Sequence, residues 1–559
     1  MIGVDRIAGR SEANNVKELR EARMNPFDRR EFLRGSTAAA LGLAAPPDLF
    51  AASAKPDPAG QTWDAGRVQH LLPAVSDSRV LIKASFREPL FDAPTLRVGG
   101  TSVQGRMSDT RGEFWQFQVT DLAPGRPYTL SLAGSRGAAL CEPWTLSTFP
   151  GPDARPASFR VLIYTCAGGH DAFDFLPTAV RKRLLLRGLA FEPDALVANG
   201  DQVYWDLLAP QFARITGGAS PLGERIAGKF DRSALVLGSD NETVLKRAAG
   251  PQILPIYGTD FRSIPTFFLQ DDHDYFDNDE ATDEIVTFPP PYFSLQLART
   301  TRSMFYPEFL PDPARPLGLP WTSVDDRSGL SECFGTVRYG RLAEILLYDI
   351  RRTQTLAGES AVYVDLEAEK WLKARSAARD VTHLVHVPSN PPGWTAGKWG
   401  EWYPDVLAAD GKLTTAKRKP YWQPGWLKQH DRLMEAIHAM PGRIPLVMSG
   451  DLHAIAIGRM LRSGTLDMHA NPINAVLTGP ISTGPSKWPS ARRGTGAMPP
   501  AHLDMDEEVK PIEQHGFTIA DFAPDKIVLR MFKWDVKTQS PDAIDTLEPF
   551  HTVELAKPV

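Results

Sequence analysis

Three cysteines in 559 residues (Cys141, Cys166 and Cys333) are too few for a disulfide framework. At most one bridge can form, and one thiol is left over. Long apolar runs are also missing. The most apolar early stretch, Ser36 to Ala45, is about half of the ~20 residues needed to cross a bilayer, so no integral membrane segment is expected. Charge of one sign is scarce: the formal net charge is −5, which gives no reason to expect nucleic acid or an acidic membrane surface as a stable partner. Neither H-x-H-x-D-H nor H-E-x-x-H occurs, which argues against a zinc hydrolase of amides or lactones. No internal repeat is found.

The N-terminus is polar and aperiodic, and residues 1–54 read as a disordered extension followed by a signal. Asp28-Arg29-Arg30-Glu31-Phe32-Leu33-Arg34-Gly35 and the mild apolar run after it resemble a twin-arginine export signal. Ala52-Ser53-Ala54 offers a small-residue cleavage site. That resemblance implies the twin-arginine export machinery as a partner and a periplasmic or secreted location. Proteins on this route usually fold, often with metal bound, before crossing.

Residues 55–66 read as a linker. Across 67–150, short alternating runs such as Arg79 to Ala84, Phe114 to Val119 and Tyr128 to Leu132 are separated by turn residues, which predicts a β-sandwich. Its segment Asp121 to Tyr128 looks like the turn and tyrosine of a fibronectin type III-like module. From 157 to 536 the texture is α/β: strands are expected at Phe159–Thr165, Ala195–Ala198, Thr266–Leu269, Ala343–Asp349, Thr382–Val387 and Pro445–Ser449. Helical patterns run over Phe173–Arg187, Leu366–Ala378 and Trp426–Ala439. Phe517–Ala520 and Lys526–Met531 predict a final hairpin, and 537–559 reads as a tail. The long connections 205–260, 276–333 and 388–425 carry few strand signals and read as lids or pocket walls. In the last, Trp394, Trp399, Trp402, Tyr403, Tyr421, Trp422 and Trp426 suggest either a self-packed loop or a wall over a site.

Four segments share one construction, an apolar strand ending abruptly in metal-capable side chains. They are Arg160 to Cys166, Ala195 to Asp201 with Tyr204, Thr266 to Asp271-Asp272-His273-Asp274, and Pro445 to Asp451-Leu452-His453. In α/β folds ligands sit outside the carboxyl ends of strands, so these ends are expected to converge. A phosphoester resists attack because its anionic oxygens repel a nucleophile, and neighbouring cations neutralise that charge. Carboxylates suit hard cations; thiolate, phenolate and imidazole favour transition metals. Asp201 is placed as the carboxylate shared between two ions.

In this order the segments resemble the calcineurin-like metallophosphoesterases, with motifs D-x-H, G-D, G-N-H-[DE] and G-H-x-H. They resemble more closely the PhoD-type alkaline phosphatase branch, with a first cysteine, G-D-x-x-Y and D-D-H-[DE]. The matching residues are Cys166, Gly200-Asp201-Gln202-Val203-Tyr204 and Asp271-Asp272-His273-Asp274. The resemblance spans about residues 70–535. It implies a layered α/β/β/α metallophosphoesterase sandwich preceded by the small all-β domain, and an exported hydrolase of phosphomonoesters or phosphodiesters. It further implies Fe3+ on Cys166, Asp201 and the Tyr204 phenolate, and Ca2+ among Asp201, Asp272, Asp451 and His453, with a Zn2+ or Mn2+ dinuclear centre as the alternative. His273 would stand near the leaving group. His386, on the strand where many such proteins carry a metal-binding histidine, is a further candidate ligand or a core residue. Arg351 would meet the phosphate or form a structural ion pair, and the roles of His170 and Asp171 stay open. Two rival functions follow from the same residues: a phospholipase D-type phosphodiesterase on the same metals, and an inactive secreted binding protein using the β-sandwich.

Overall fold

The computed structural model describes residues 63–205, 208, 219–275, 289–310, 330–355, 361–396, 406–407, 413–414 and 424–557. The proposed export signal lies outside these residues, as do Trp399, Trp402, Tyr403, Tyr421 and Trp422. No helix among the described residues is long and apolar enough to cross a membrane.

The first eight strands are β1 (Val68–Val75), β2 (Val80–Phe86), β3 (Thr95–Val98), β4 (Thr101–Gln104), β5 (Arg106–Met107), β6 (Phe114–Val119), β7 (Pro127–Ala133) and β8 (Trp144–Ser147). They form two antiparallel sheets, ordered β1-β2-β6-β5 and β4-β3-β7-β8. Ile82 and Phe117 from one, and Leu96, Leu130 and Trp144 from the other, are buried in a shared core. The expected sandwich is present, and so is its tyrosine: the Tyr128 hydroxyl accepts from the Ala123 N–H at 2.8 Å, closing the turn that Asp121 enters with φ 62°.

The α/β region holds β9 (Phe159–Tyr164), β10 (Ala195–Asn199), β11 (Thr266–Leu269), β12 (Phe334–Tyr339), β13 (Ala343–Tyr348), β14 (His383–Pro388), the two-residue β15 (Val406–Leu407) and β16 (Leu413–Thr414), and β17 (Leu446–Ser449). It continues through β18 (Ile455–Ser463), β19 (Leu466–Asp467), β20 (Ile473–Thr478), β21 (Leu503–Ile512), β22 (His515–Phe522), β23 (Lys526–Trp534) and β24 (His551–Ala556). One sheet is ordered β11-β10-β9-β22-β23-β24; the other is β12-β13-β14-β17-β20-β18-β19, with β21 on β18. Strand alternation decides the layering. On β9, Val161 and Ile163 enter the core between the sheets, while Leu162 and Tyr164 face helices. Those helices are α1 (Thr178–Leu189), α2 (Ala219–Ala227), α3 (Asp240–Tyr257) and α4 (Tyr292–Phe305). On the far side α5 (Leu366–Ala377) and α6 (Pro424–His438) cover Leu346, Leu384 and Val447. The result is the expected α/β/β/α layering.

Two expectations change. The segment expected as a tail, described to residue 557, contains β24, which pairs along β23 from Lys526 opposite Ala556 to Met531 opposite His551. The connection 205–260 contains the 18-residue α3, despite Pro251 and Pro255 inside it. Ser239 caps its start, and burial of Leu245, Ala249, Ile253 and Ile256 outweighs two missing N–H donors. Lys83 fastens the sandwich to this body: its buried ammonium donates to Ser303 O at 2.6 Å and pairs with Glu308 at 3.0 Å.

Candidate metal centre

Parallel pairing of β9, β10 and β11 sets their carboxyl ends side by side, delivering Cys166, Asp201 and the Asp271–Asp274 turn to one edge. In the second sheet β13, β14 and β17 run parallel and deliver Arg351, Asn390 and Asp451–His453. The edges are stitched together: Asn199 Nδ2 donates to Pro388 O at 3.0 Å, and the Asp451 N–H donates to Thr165 Oγ1 at 3.4 Å. Gly450 packs so closely that a Cβ there would overlap Thr165 and meet Asn199 O at 2.8 Å. Gly200, with φ 77°, would place a Cβ 2.6 Å from the Asp271 Cβ. Gly450 lets the two sheet edges touch, and Gly200 lets the ends of β10 and β11 close on each other.

Eight non-glycine residues among those described have positive φ, and four are Cys166 (50°), Asp201 (55°), Asp451 (64°) and His453 (51°). Each such residue costs about 1–3 kcal/mol, a cost that clusters at functional sites. The strain turns each side chain inward where the strand stops.

The side chains fall into two groups joined at Asp201. Cys166 Sγ lies 3.3 Å from Asp201 Oδ2, the Tyr204 hydroxyl lies 3.2 Å from the same oxygen, and it lies 3.1 Å from His453 Nε2. Cys166, Asp201 and His453 offer ligand atoms within 4.8 Å of one another, and so do Asp201, Asp271, Asp272 and Asp451. Asp201, Asp272 and His273 form a third such group. All are buried, and His273, with its ring 4.3 Å from that of Tyr204, is the most exposed at 9%.

Burial and then the neighbouring Asp272 carboxylate push the Asp201 carboxyl well above its ordinary range. Burial followed by the charge of Asp201 does the same to the Cys166 thiol and the Tyr204 phenol. Asp201 Oδ1 and Asp271 Oδ2 are buried with no hydrogen-bond partner among the described residues, as is Asn390 Oδ1, whose amide donates to Asp451 Oδ2 at 3.0 Å. Buried oxygens without donors around a shared carboxylate fit a bound cation pair.

Several expected residues change place. His386 stays out of the cluster: its Nε2 meets Ser376 Oγ at 3.1 Å and its Nδ1 the Tyr348 hydroxyl at 3.5 Å, under α5. Strand alternation aims it at the helix layer, and the site receives Asn390 from the same strand end instead. Arg351 is engaged as an ion pair, donating to Asp271 at 2.7 Å and Asp451 at 3.1 Å. His453 sits on the thiol and phenol side rather than among the carboxylates. Asp171 pairs with Arg181 at 2.7 Å, whose guanidinium also donates to Ala167 O and Gly168 O, so it shapes the Cys166 loop. His170 Nδ1 accepts from Ala172 N–H. Trp394 and Trp426 are buried at 1% and 0%, donating to Glu507 and Thr355, and belong to packing rather than a wall. All three cysteines are free, Cys166 included. Asp271 and Asn390 were absent from the sequence-derived ligands, although Asp271 stands in the quoted Asp-Asp-His and Ser389-Asn390 follows a strand end like the other segments.

The layered fold, with candidate metal ligands gathered at the strand ends, is shared with solved phosphatase structures. Among solved structures the chain is similar to one titled "Structure of PhoD", with TM-score 0.55 and 12% identity over 89% of this chain and 90% of that one. It is also similar to the purple acid phosphatase PPD1 isolated from yellow lupin (Lupinus luteus) seeds, with TM-score 0.50 and 11% identity over 87% and 73%. At these identities the likeness concerns fold. No protein-family model and no curated protein matches the chain.

Proposed function

We propose that the chain is an exported metal-dependent hydrolase of phosphomonoesters or phosphodiesters. The observation that carries the reading is the partition of donors about Asp201: thiol, phenol and the His453 imidazole on one side, and a set dominated by carboxylates, with the His273 imidazole beside Asp272, on the other. Cys166, Asp201, Tyr204 and His453 would hold Fe3+; Asp201, Asp271, Asp272, Asp451 and Asn390 would hold Ca2+. Once bound, the cations would neutralise phosphoryl charge and lower the pKa of water. The chain's own contribution is geometric and protonic. Asp201 holds the two ligand groups together, Arg351 keeps Asp271 and Asp451 in place, and the surrounding core excludes bulk water. His273, the most exposed member, is positioned to give a proton to a departing oxygen or to stabilise its charge.

Purified protein should hydrolyse 4-nitrophenyl phosphate or its bis ester, with the ratio of the two rates setting mono- against diester preference. Chelation should abolish the activity, and metal analysis should find iron and calcium. A colourless, active enzyme holding only zinc would remove the iron assignment and leave hydrolysis standing. Metal-replete protein inert toward both esters would remove the hydrolase reading. Export rests on Arg29-Arg30 and the small-residue run after it. Replacing both arginines with lysine should retain the protein in the cytoplasm, as read by fractionation.

A further inference from the structure

The thiol and phenol half of the cluster draws its donors from separate loops. Cys166 lies in the loop after β9 and Tyr204 in the loop after β10, so their relative placement depends on how those loops are held together. Two backbone bonds begin the joint: the Cys166 N–H donates to Gly200 O at 3.2 Å, and the Gly168 N–H donates to Asp201 O at 2.9 Å. Neither bond reaches Tyr204.

The three N–H groups that follow Asp201 are divided between two side chains. Those of Gln202 and Val203 donate to Asp274 Oδ1 at 2.9 and 2.8 Å, and Asp274 Oδ2 accepts from the Asp271 N–H at 3.0 Å, so this bond set belongs to the carboxylate side. The Tyr204 N–H goes instead to Gln252 Oε1 at 3.0 Å, and the same oxygen accepts from the Gly169 N–H at 2.6 Å. Gln252 Nε2 donates to Tyr204 O at 3.4 Å and to Ala248 O, one turn back on α3, at 3.0 Å. These backbone groups have fixed donor or acceptor character, and together they decide which way the amide faces. Gln252 is buried. One side chain therefore holds both backbone polar groups of Tyr204 and joins them to the Cys166 loop. Helix α3 grips the loop a second time: the Tyr257 hydroxyl donates to Gln202 Oε1 at 2.8 Å, and Gln202 Nε2 donates to Gly200 O at 2.6 Å.

We propose that Gln252 is a positioning residue for the Cys166 and Tyr204 half alone. It is not among the cluster's donors; by clasping the Tyr204 main chain to the Cys166 loop it sets how well thiol, phenol and the His453 imidazole close on one transition-metal ion. This role rests on the iron assignment of the proposed function and deepens it. Because Asp274 anchors the neighbouring N–H groups to the other half, loss of Gln252 should be felt on one side of Asp201 only.

Metal-free, full-length protein is titrated separately with Fe3+, supplied as its citrate, and with Ca2+. Gln252→Met, close in volume but without an acceptor oxygen, should weaken Fe3+ binding about 10–100-fold and shift the visible charge-transfer band, while Ca2+ binding stays unchanged. Gln252→Glu keeps an acceptor oxygen at the same reach and should recover most of the Fe3+ affinity. Should thermal melting show that Gln252→Met is unfolded, Gln252→Asn, which withdraws the amide by one carbon, carries the same comparison. Equal weakening of both metals, unchanged Fe3+ binding, or no recovery in Gln252→Glu would overturn the role. Amide hydrogen exchange in the metal-free protein is an independent readout: residues 166–169 and 201–204 should exchange about tenfold faster in Gln252→Met, and the rest of the chain should not. If the unsubstituted protein takes up no Fe3+, the iron assignment fails and exchange decides. Faster exchange confined to those two segments then keeps Gln252 as their clasp, and unchanged exchange removes it.

Discussion

The two sides of the cluster are built on the same local device and differ in how charge is managed. Cys166, Asp201, Asp451 and His453 all leave their strands with positive φ, so backbone geometry does not distinguish the sides. The carboxylate side carries its own cation, since Arg351 bridges Asp271 and Asp451. On the other side the side-chain hydrogen bonds of Cys166 and Tyr204 among the described residues run to Thr165, Asp201 and His453, with no ammonium or guanidinium among them. One half is partly neutralised before any metal binds; the other has to keep its protons until a cation replaces them. Occupancy of the two halves should therefore respond differently to substitution.

The largest effect is expected where the halves meet. Asp201→Ala removes the shared carboxylate, and hydrolysis should fall by about 10³-fold or more, with iron and calcium both lost on metal analysis. Retention of either metal at full occupancy would show that the halves are independent.

Tyr204→Phe breaks the comparison on one side only. The phenolate donor disappears, the iron charge-transfer colour should vanish, and activity should drop about 10–100-fold with calcium content kept. An unchanged visible spectrum would place iron elsewhere.

Arg351→Met tests the built-in cation. In metal-free protein it leaves two buried carboxylates without their partner, at a cost of about 3–5 kcal/mol. Denaturant midpoints with and without metal measure this, and the loss should shrink on metal loading. Equal losses in both states would mean Arg351 contributes packing alone.

The smallest effect contrasts the site with the core. Burial, and secondarily the Arg443 charge, pull the His386 pKa down from 6.5 to about 3. The folded chain thus holds a neutral ring where the unfolded chain takes a proton. The stability contribution is complete above pH 6.5 and is lost as pH falls toward 3, at about 1.4 kcal/mol per pH unit. His386→Gln should flatten the acid limb of a stability–pH profile. An unaltered slope would mean that burial does not depress the His386 pKa.

The elements that position the cluster were legible because their signals are local. An apolar run cut off by Gly-Asp or Asp-Asp-His needs only its own residues to be read as a strand ending in ligands, and β9, β10, β11 and β17 lie within a residue or two of expectation. Helix α3 was not legible, because Pro251 and Pro255 argue against it locally and only packing against the sheet overrules them. β24 was missed for a related reason: an exposed strand with alternating burial joins the sheet only because β23 offers an open edge.

By itself the sequence determined which donor types exist and that each sits at a strand end, since hydrophobic alternation and abrupt polar stops are properties of contiguous residues. Only the tertiary structure decided which donors lie together. His386 lies within its strand and faces the helix layer, whereas Asn390 lies past the strand's end and reaches the cluster. Whether His453 joins Tyr204 or the carboxylates, and whether Arg351 meets a ligand or two aspartates, turns on how two sheet edges abut across Gly450 and Thr165. Those contacts connect residues 80 to 286 positions apart, and no local pattern encodes them.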